Sequence, residues 1–319
     1  MARFTFFGGK GGVGKTTVSA AYALRCADAG HETLVVSTDP AHSTSDVFGQ
    51  PFGDDPKPVE GHANLAAMEI DPEAEVEAHL MDIRREMEEQ VSQVVVNEID
   101  KQIEMAHETP GAYEAALFDR VIRVMREEAD DYDRVIFDTA PTGNTLRLLS
   151  LPDFLGDWVD RLIEKRETSL DLYQKAAIGS EEPRKTAEND PIIHRLRERK
   201  EKFEFAGRTL REDADFYLVL NPDELSVAET RRAVKRLAEH DLDVAGLVVN
   251  KVTPEPDDDE RGRGANYLRE RVTRERERIA ETEETIPVPV VARIASRTGE
   301  VKGDVLDEVA AELEIDVAD

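Results

Sequence analysis

The sequence holds one cysteine and one tryptophan, and aromatic residues make up 6% of its 319 positions. A lone thiol, Cys26, cannot close an intrachain disulfide or build a CxxC zinc site. Its place in the first predicted helix reads as a small apolar core residue. No stretch approaches the run of about 18–20 apolar residues that a bilayer crossing needs, so an integral membrane protein is not expected. The opening Met1-Ala2-Arg3-Phe4-Thr5-Phe6-Phe7 leads straight into glycines, without the apolar core and cleavage site of a secretory signal. A soluble, cytoplasmic protein is the expectation.

Cations are scarce too. Lys+Arg number 41 against 69 Asp+Glu, a formal net charge of −28, and 12 of the 41 are lysine. Such a surface repels nucleic acid and anionic lipid as a whole, so no nucleic-acid partner is expected. High ionic strength screens the self-repulsion that opposes folding. The composition therefore points to a halophilic, archaeal-type source and to stability that rises toward molar salt.

Among the residues that remain, short β-rich runs alternate with helical stretches. The predicted strands are Arg3–Phe7, Thr33–Ser37, Ala66–Ile70, Arg134–Phe137, Phe216–Leu220, Ala245–Val249 and Val288–Val291. Most are nearly continuous apolar runs, which suits strands buried on both faces. The fold class is α/β, a doubly wound and mostly parallel sheet. Two helical stretches are too long for ordinary βα connections, 72–110 and 154–213, and are expected to form an inserted helical subdomain. The sheet domain then comprises 1–71, 111–153 and 214–319.

Gly9-Lys10-Gly11-Gly12-Val13-Gly14-Lys15-Thr16 fits G-x-x-x-x-G-K-[ST] at every fixed position, and Thr17 follows. It lies between a predicted strand and a predicted helix, Thr16 to about Ala29, the context this phosphate-binding loop requires. Glycines let backbone N–H groups turn inward around phosphates. Lys15 is expected to neutralise the β and γ oxygens, and the Thr16 hydroxyl to ligate Mg²⁺. ATP and Mg²⁺ are therefore the expected cofactors. Lys10, a second lysine within the loop, is the deviant form of this motif. A lysine reaching the transferring phosphoryl group from across an interface would act as an arginine finger does, which makes Lys10 a catalytic candidate.

Ser37-Thr38-Asp39-Pro40-Ala41-His42-Ser43 ends the second strand in a carboxylate, where doubly wound sheets bind ligands. Asp39 is the candidate to orient or deprotonate the attacking water. Pro40 and His42 belong to the same switch segment. Arg134-Val135-Ile136-Phe137-Asp138 closes an apolar strand on the expected Mg²⁺ partner, Asp138, acting through a water or directly. Thr139, Pro141, Thr142 and Gly143 follow as a candidate sensor of the γ-phosphate.

These three motifs resemble those of the ArsA-type ATPase family, which includes the arsenical-pump ATPase and the ATPase that targets tail-anchored membrane proteins. Thr145-Leu146-Arg147-Leu148-Leu149-Ser150-Leu151-Pro152, Pro110-Gly111-Ala112-Tyr113-Glu114, Asp223-Glu224-Leu225-Ser226, Val248-Val249-Asn250 and Glu300-Val301-Lys302-Gly303 extend the likeness over nearly the whole chain. The resemblance implies ATP hydrolysis by a nucleotide-gated homodimer. It also implies that Asn250 contacts the adenine and that Asp223 lies near nucleotide bound across the dimer. Two positions depart from the targeting members. Asn144 stands where a histidine is usual, and Asp257-Asp258-Asp259-Glu260 replaces the CxxC zinc clamp of eukaryotic members, so no zinc site is expected.

Soft metalloids prefer several thiols, and one cysteine cannot supply them. This favours the targeting branch over an arsenite- or antimonite-pump subunit. A partitioning or division ATPase shares the deviant loop, but the C-terminus, Val305 to Asp319, is acidic where a membrane tail is basic. A targeting ATPase needs an apolar groove for the transmembrane helix of its clients. Leu80, Ile83, Met87 and Val91 recur at helical spacing and, with Trp158, are candidates for its walls; self-packing of the subdomain is the alternative. A membrane receptor is a further expected partner.

Overall fold

The computed structural model describes residues 2–39, 43–71, 73–75, 77, 81, 112–139, 159–168 and 190–317. Contacts divide the chain into two compact units, Met1–Leu148 with Asp213–Asp319, and Leu149–Glu212.

The first unit is built on an eight-stranded sheet: β1 (Phe4–Gly9), β2 (Thr33–Ser37), β3 (Lys57–Pro58), β4 (Leu65–Glu69), β5 (Arg134–Asp138), β6 (Ala214–Leu220), β7 (Val244–Val252) and β8 (Val290–Ala295). The strand order is β3-β4-β2-β5-β1-β6-β7-β8. Every neighbouring pair is parallel except β3 with β4. The helices are α1 (Lys15–Asp28), α2 (Ser43–Phe48), α3 (Ala112–Arg123), α4 (Pro191–Glu212), α5 (Glu224–Ala238), α6 (Arg263–Thr285) and α7 (Asp304–Glu312), of which α4 belongs to the second unit. A π-helical turn, Val124–Glu128, and a 3₁₀ turn, Ala129–Asp131, continue α3 toward β5. The α/β class and the mostly parallel sheet are as the alternating pattern predicts.

Aromatic residues are few, but they gather around the central strand. Phe6 stacks on Phe137 of β5 at 4.5 Å and on Phe216 of β6 at 5.2 Å. On the other face of β1, Phe7 packs against Tyr217 of β6 and Tyr22 of α1, both at 5.5 Å. Successive residues of a strand point to opposite faces, so β1 needs large apolar groups at consecutive positions. Cys26 is fully buried in α1, in the place its helical spacing predicts. Its thiol is pushed up to about 11, first by burial. The last helix, α7, buries Leu306, Val309 and Ala310 in the same cluster as α1.

Strand ends differ from the apolar runs. β5 continues to Asp138 because that residue pairs with both Phe7 and Ser37. β7 runs three residues past Val249, and β8 begins at Val290, after Pro289, which has no N–H to donate to a ladder. The two-residue β3 is exposed, and its Lys-Pro sequence carries no strand signal. The charged helix α6 has no apolar stripe of ordinary width. It is tied to the sheet by buried Glu275, which accepts from the Thr253 N–H at 2.7 Å and the Thr253 hydroxyl at 2.8 Å.

In the second unit, α4 carries buried Phe203, Ala206 and Leu210 at three- and four-residue spacing. Asp190 caps its start by accepting from the Ile193 N–H at 3.1 Å, and Arg166 donates to the same carboxylate at 3.0 Å. Residues 159–168 are helical. Within the predicted insertion 72–110, residues 73–75, 77 and 81 are described and are helical, with Met81 exposed. The groove candidates Leu80, Ile83, Met87, Val91 and Trp158 lie outside the described residues. Among the described residues no helix is long and apolar enough to cross a membrane.

Candidate functional site

The predicted phosphate cradle forms the connection from β1 to α1, at the carboxyl edge of the sheet. Gly14 occupies the N-cap of α1 with φ 93°, and no side chain caps the helix there. The first-turn N–H groups are therefore left for an anion. A Cβ on Gly14 would lie 2.3 Å from Asn250 Nδ2, and one on Gly9 would lie 2.4 Å from the Val219 carbonyl oxygen, so both positions demand glycine. Val13 is buried and anchors the loop, whereas Gly11 and Gly12 are exposed at its tip. Lys15 is buried at the head of α1; Lys10, Thr16 and Thr17 are half-buried.

Beside the loop, β5 brings Asp138 to the same edge, flanked by Phe7 of β1 and Ser37 of β2. The Thr16 hydroxyl donates to Asp138 Oδ2 at 2.6 Å. The Thr38 N–H donates to the Asp138 carbonyl at 2.9 Å, and the Thr139 hydroxyl donates to the Phe7 carbonyl at 2.7 Å. Two motifs more than 120 residues apart thus meet at one carboxylate. Asn250 comes from β7, and its amide donates to the Val13 carbonyl at 2.8 Å.

The profile of the family described as anion-transporting ATPases matches residues 2–314. The chain belongs to this family. A putative arsenical pump-driving ATPase 2 of Aquifex aeolicus is 32% identical over 287 residues, 90% of this chain and 92% of that protein. ATPase ASNA1 homolog 1 of Paramecium tetraurelia is 34% identical over 255 residues, 78% of this chain and 75% of that protein. ATPase GET3B of Arabidopsis thaliana is 37% identical over 273 residues, 79% of this chain and 64% of that protein. The protein is accordingly an enzyme that hydrolyses ATP.

Membership of an ATPase family implies ATP and Mg²⁺, and the geometry around Asp138 fits the metal. This carboxylate is completely buried, and among the described residues its Oδ1 has no hydrogen-bond partner. Burial pushes its pKa up from 3.8 to about 7; the Thr16 hydrogen bond and Lys15 oppose the rise, and Asp39 and Glu69 add to it. A hard cation prefers oxygen ligands and would hold the group ionised. Thr16 and Asp138 are the residues that would hold Mg²⁺, which when bound neutralises charge on the β and γ phosphate oxygens. Among the described residues no group of three or more His, Cys, Asp or Glu converges.

The remaining candidates divide by location. Asp39 follows β2, half-buried, with its N–H donating to the Ser37 hydroxyl at 3.3 Å. Asp223 caps α5, accepting from the Ser226 N–H at 2.9 Å, on the strand-end loop after β6. Pro40, His42, Pro141, Thr142 and Gly143 lie outside the described residues; of the sensor segment only Thr139 is described.

Two residues at this edge escape sequence reasoning. Buried Glu69 ends β4 and receives both the N–H (2.8 Å) and the hydroxyl (2.7 Å) of Ser45, fixing the first turn of α2 just beyond the Asp39 segment. A carboxylate inside an apolar run was the available signal. Lys251 donates to the Gly12 carbonyl at 2.6 Å. Nothing in the strand pattern marked it.

Proposed function

We propose that the protein is a nucleotide-gated homodimer that captures the transmembrane helix of tail-anchored membrane proteins and delivers it toward a membrane. ATP closes the dimer, and hydrolysis biases it open. Asp39 activates the attacking water, and Lys10 reaches the partner's nucleotide.

The observation that carries this reading against a metalloid pump is Cys26. It is the chain's one cysteine, and it is buried in α1 with its thiol held protonated. A soft As(III) or Sb(III) centre needs several accessible thiolates. The relatives named as ATPases of the ASNA1 and GET3B kind agree with the targeting reading, while the one named as a putative pump-driving ATPase keeps the pump as the competing one.

The test uses Asp39→Asn, which should bind Mg·ATP and lose turnover. This variant is co-purified in molar salt with Mg·ATP and with proteins carrying a single C-terminal transmembrane helix. Complexes that disappear when that helix is deleted support client capture. Absence of any complex, with nucleotide binding and dimerisation verified, rejects it. Normal turnover removes Asp39 from its role.

A further inference from the structure

Arg120 on α3 is 2% exposed, yet it carries a full charge into the first unit. Its guanidinium donates to the Asp54 carbonyl at 2.7 Å and pairs with the carboxylates of Glu75 at 3.1 Å, Asp54 at 3.5 Å and Glu128. Glu75 is buried too, and its other oxygen accepts from Arg123 at 3.3 Å. Glu128 belongs to this group because of the π-helical turn. In a regular α-helix a residue eight positions on lies about 80° around the axis. The wider turn over Val124–Glu128 absorbs that excess and brings Glu128 back to the side of Arg120. Such turns are rare and gather at functional sites.

The partners of Arg120 lead to two places. Asp54 lies in the loop after α2, the helix just beyond Asp39. The Phe52 N–H of that loop donates to the Ser45 hydroxyl at 3.1 Å, and the Glu69 N–H donates to the Gly53 carbonyl at 2.8 Å. Ser45 also donates to the Glu69 carboxylate, so α2, the loop and the end of β4 are bound as one piece. Asp71, just past β4, caps the helical residues 73–75 by accepting from the Glu73 N–H at 2.9 Å. Glu75 therefore stands at the start of the predicted insertion 72–110, and Arg120 stands just after its end. Buried ion pairs add little net stability, because desolvation offsets their attraction. Their directional bonds instead fix one arrangement of the segments they join.

We propose that Arg120 and Glu75 form a latch through which the nucleotide edge and the start of the insertion set each other's position. A shift of the Asp39 segment moves α2, the loop bound to it carries Asp54, and Arg120 passes the displacement to Glu75 and to the π-turn. Arg120 is a positioning residue in this scheme. Coupling of this kind travels through a packed, hydrogen-bonded network that has two arrangements. The inference rests on nucleotide gating and is independent of which client is carried.

The experiment follows amide hydrogen exchange of the full chain, with and without magnesium and a non-hydrolysable ATP analogue. In the wild type the analogue should change exchange at residues 73–77 by about fivefold or more. Glu75→Gln keeps the shape and loses both ion pairs, and Arg120→Lys keeps the charge and loses the fork. Each variant should bind the analogue, as calorimetry verifies, and lose the nucleotide-dependent factor. Pairs that only stabilise the fold would speed exchange equally with and without the analogue. A factor that persists in either variant therefore overturns the latch alone. A wild type that binds the analogue with no change at these amides overturns gating and latch together. Thermal unfolding verifies that each variant folds, and Glu75→Gln decides the matter if Arg120→Lys does not fold.

Discussion

Replacing Asp138 by asparagine should stabilise the ligand-free protein at about pH 8 while abolishing its Mg²⁺-dependent function. The carboxylate is completely buried, has one oxygen without a partner among the described residues, and titrates near 7 instead of 3.8. The folded state therefore binds the proton more tightly than the unfolded state, and stability is lost as pH rises between those two values. Linkage puts the cost of ionising the buried group at about 2 kcal/mol at about pH 5 and about 4 kcal/mol at about pH 8. In Asp138→Asn the side-chain oxygen still accepts from Thr16, but the new amide N–H₂ takes the place of the orphan Oδ1. That loss is about 1–3 kcal/mol and does not depend on pH. The clean quantity is therefore the difference between variant and wild type across pH. The variant should gain about 2 kcal/mol on the wild type between about pH 5 and about pH 8. Urea unfolding of both proteins without nucleotide or metal, at the two pH values, measures it. A stability difference that does not change with pH would refute the reasoning. The wild type's own pH dependence should flatten when Mg·ATP is added.

Lys10→Ala should depress turnover and ATP-dependent dimerisation together, turnover by about 10³-fold if the lysine acts as an arginine finger does; sedimentation and steady-state assays read both, and a response of only one breaks the cross-interface assignment. Glu69→Gln keeps one acceptor for Ser45 and loses the other, so stability should fall by about 1 kcal/mol. Its kcat should fall severalfold with the dissociation constant of ATP unchanged, because the pair holds α2 and not the phosphate loop; an unchanged kcat removes Glu69 from the switch. With 69 acidic against 41 basic residues, the thermal midpoint should rise by several degrees from low to molar potassium chloride. A flat response counts against a salt-adapted surface.

The chemistry of the site was legible because its motifs are local. Gly9 to Thr16 carries its requirements in eight consecutive residues, and an apolar run ending in Asp138 can be read without knowing its neighbours. Cys26 was placed correctly for a similar reason: helical spacing alone puts it on the buried face of α1. Local pattern could not say which distant elements brace these motifs. The Thr16–Asp138 bond joins the head of α1 to the end of β5, and the value near 7 for Asp138 arises first from the burial that the assembled sheet imposes on it. A bulge of β7 at Lys251 is the sharpest case. A period of two would send Lys251 away from Asn250, and only pairing with β8 forces the extra residue into a left-handed turn. The sequence by itself determined the phosphate-loop motif and the alternation of buried strands with helices, because each is written in short-range spacing. The tertiary structure decided which side chains hold those groups in place, because that depends on strand register and burial, which no short stretch of chain contains.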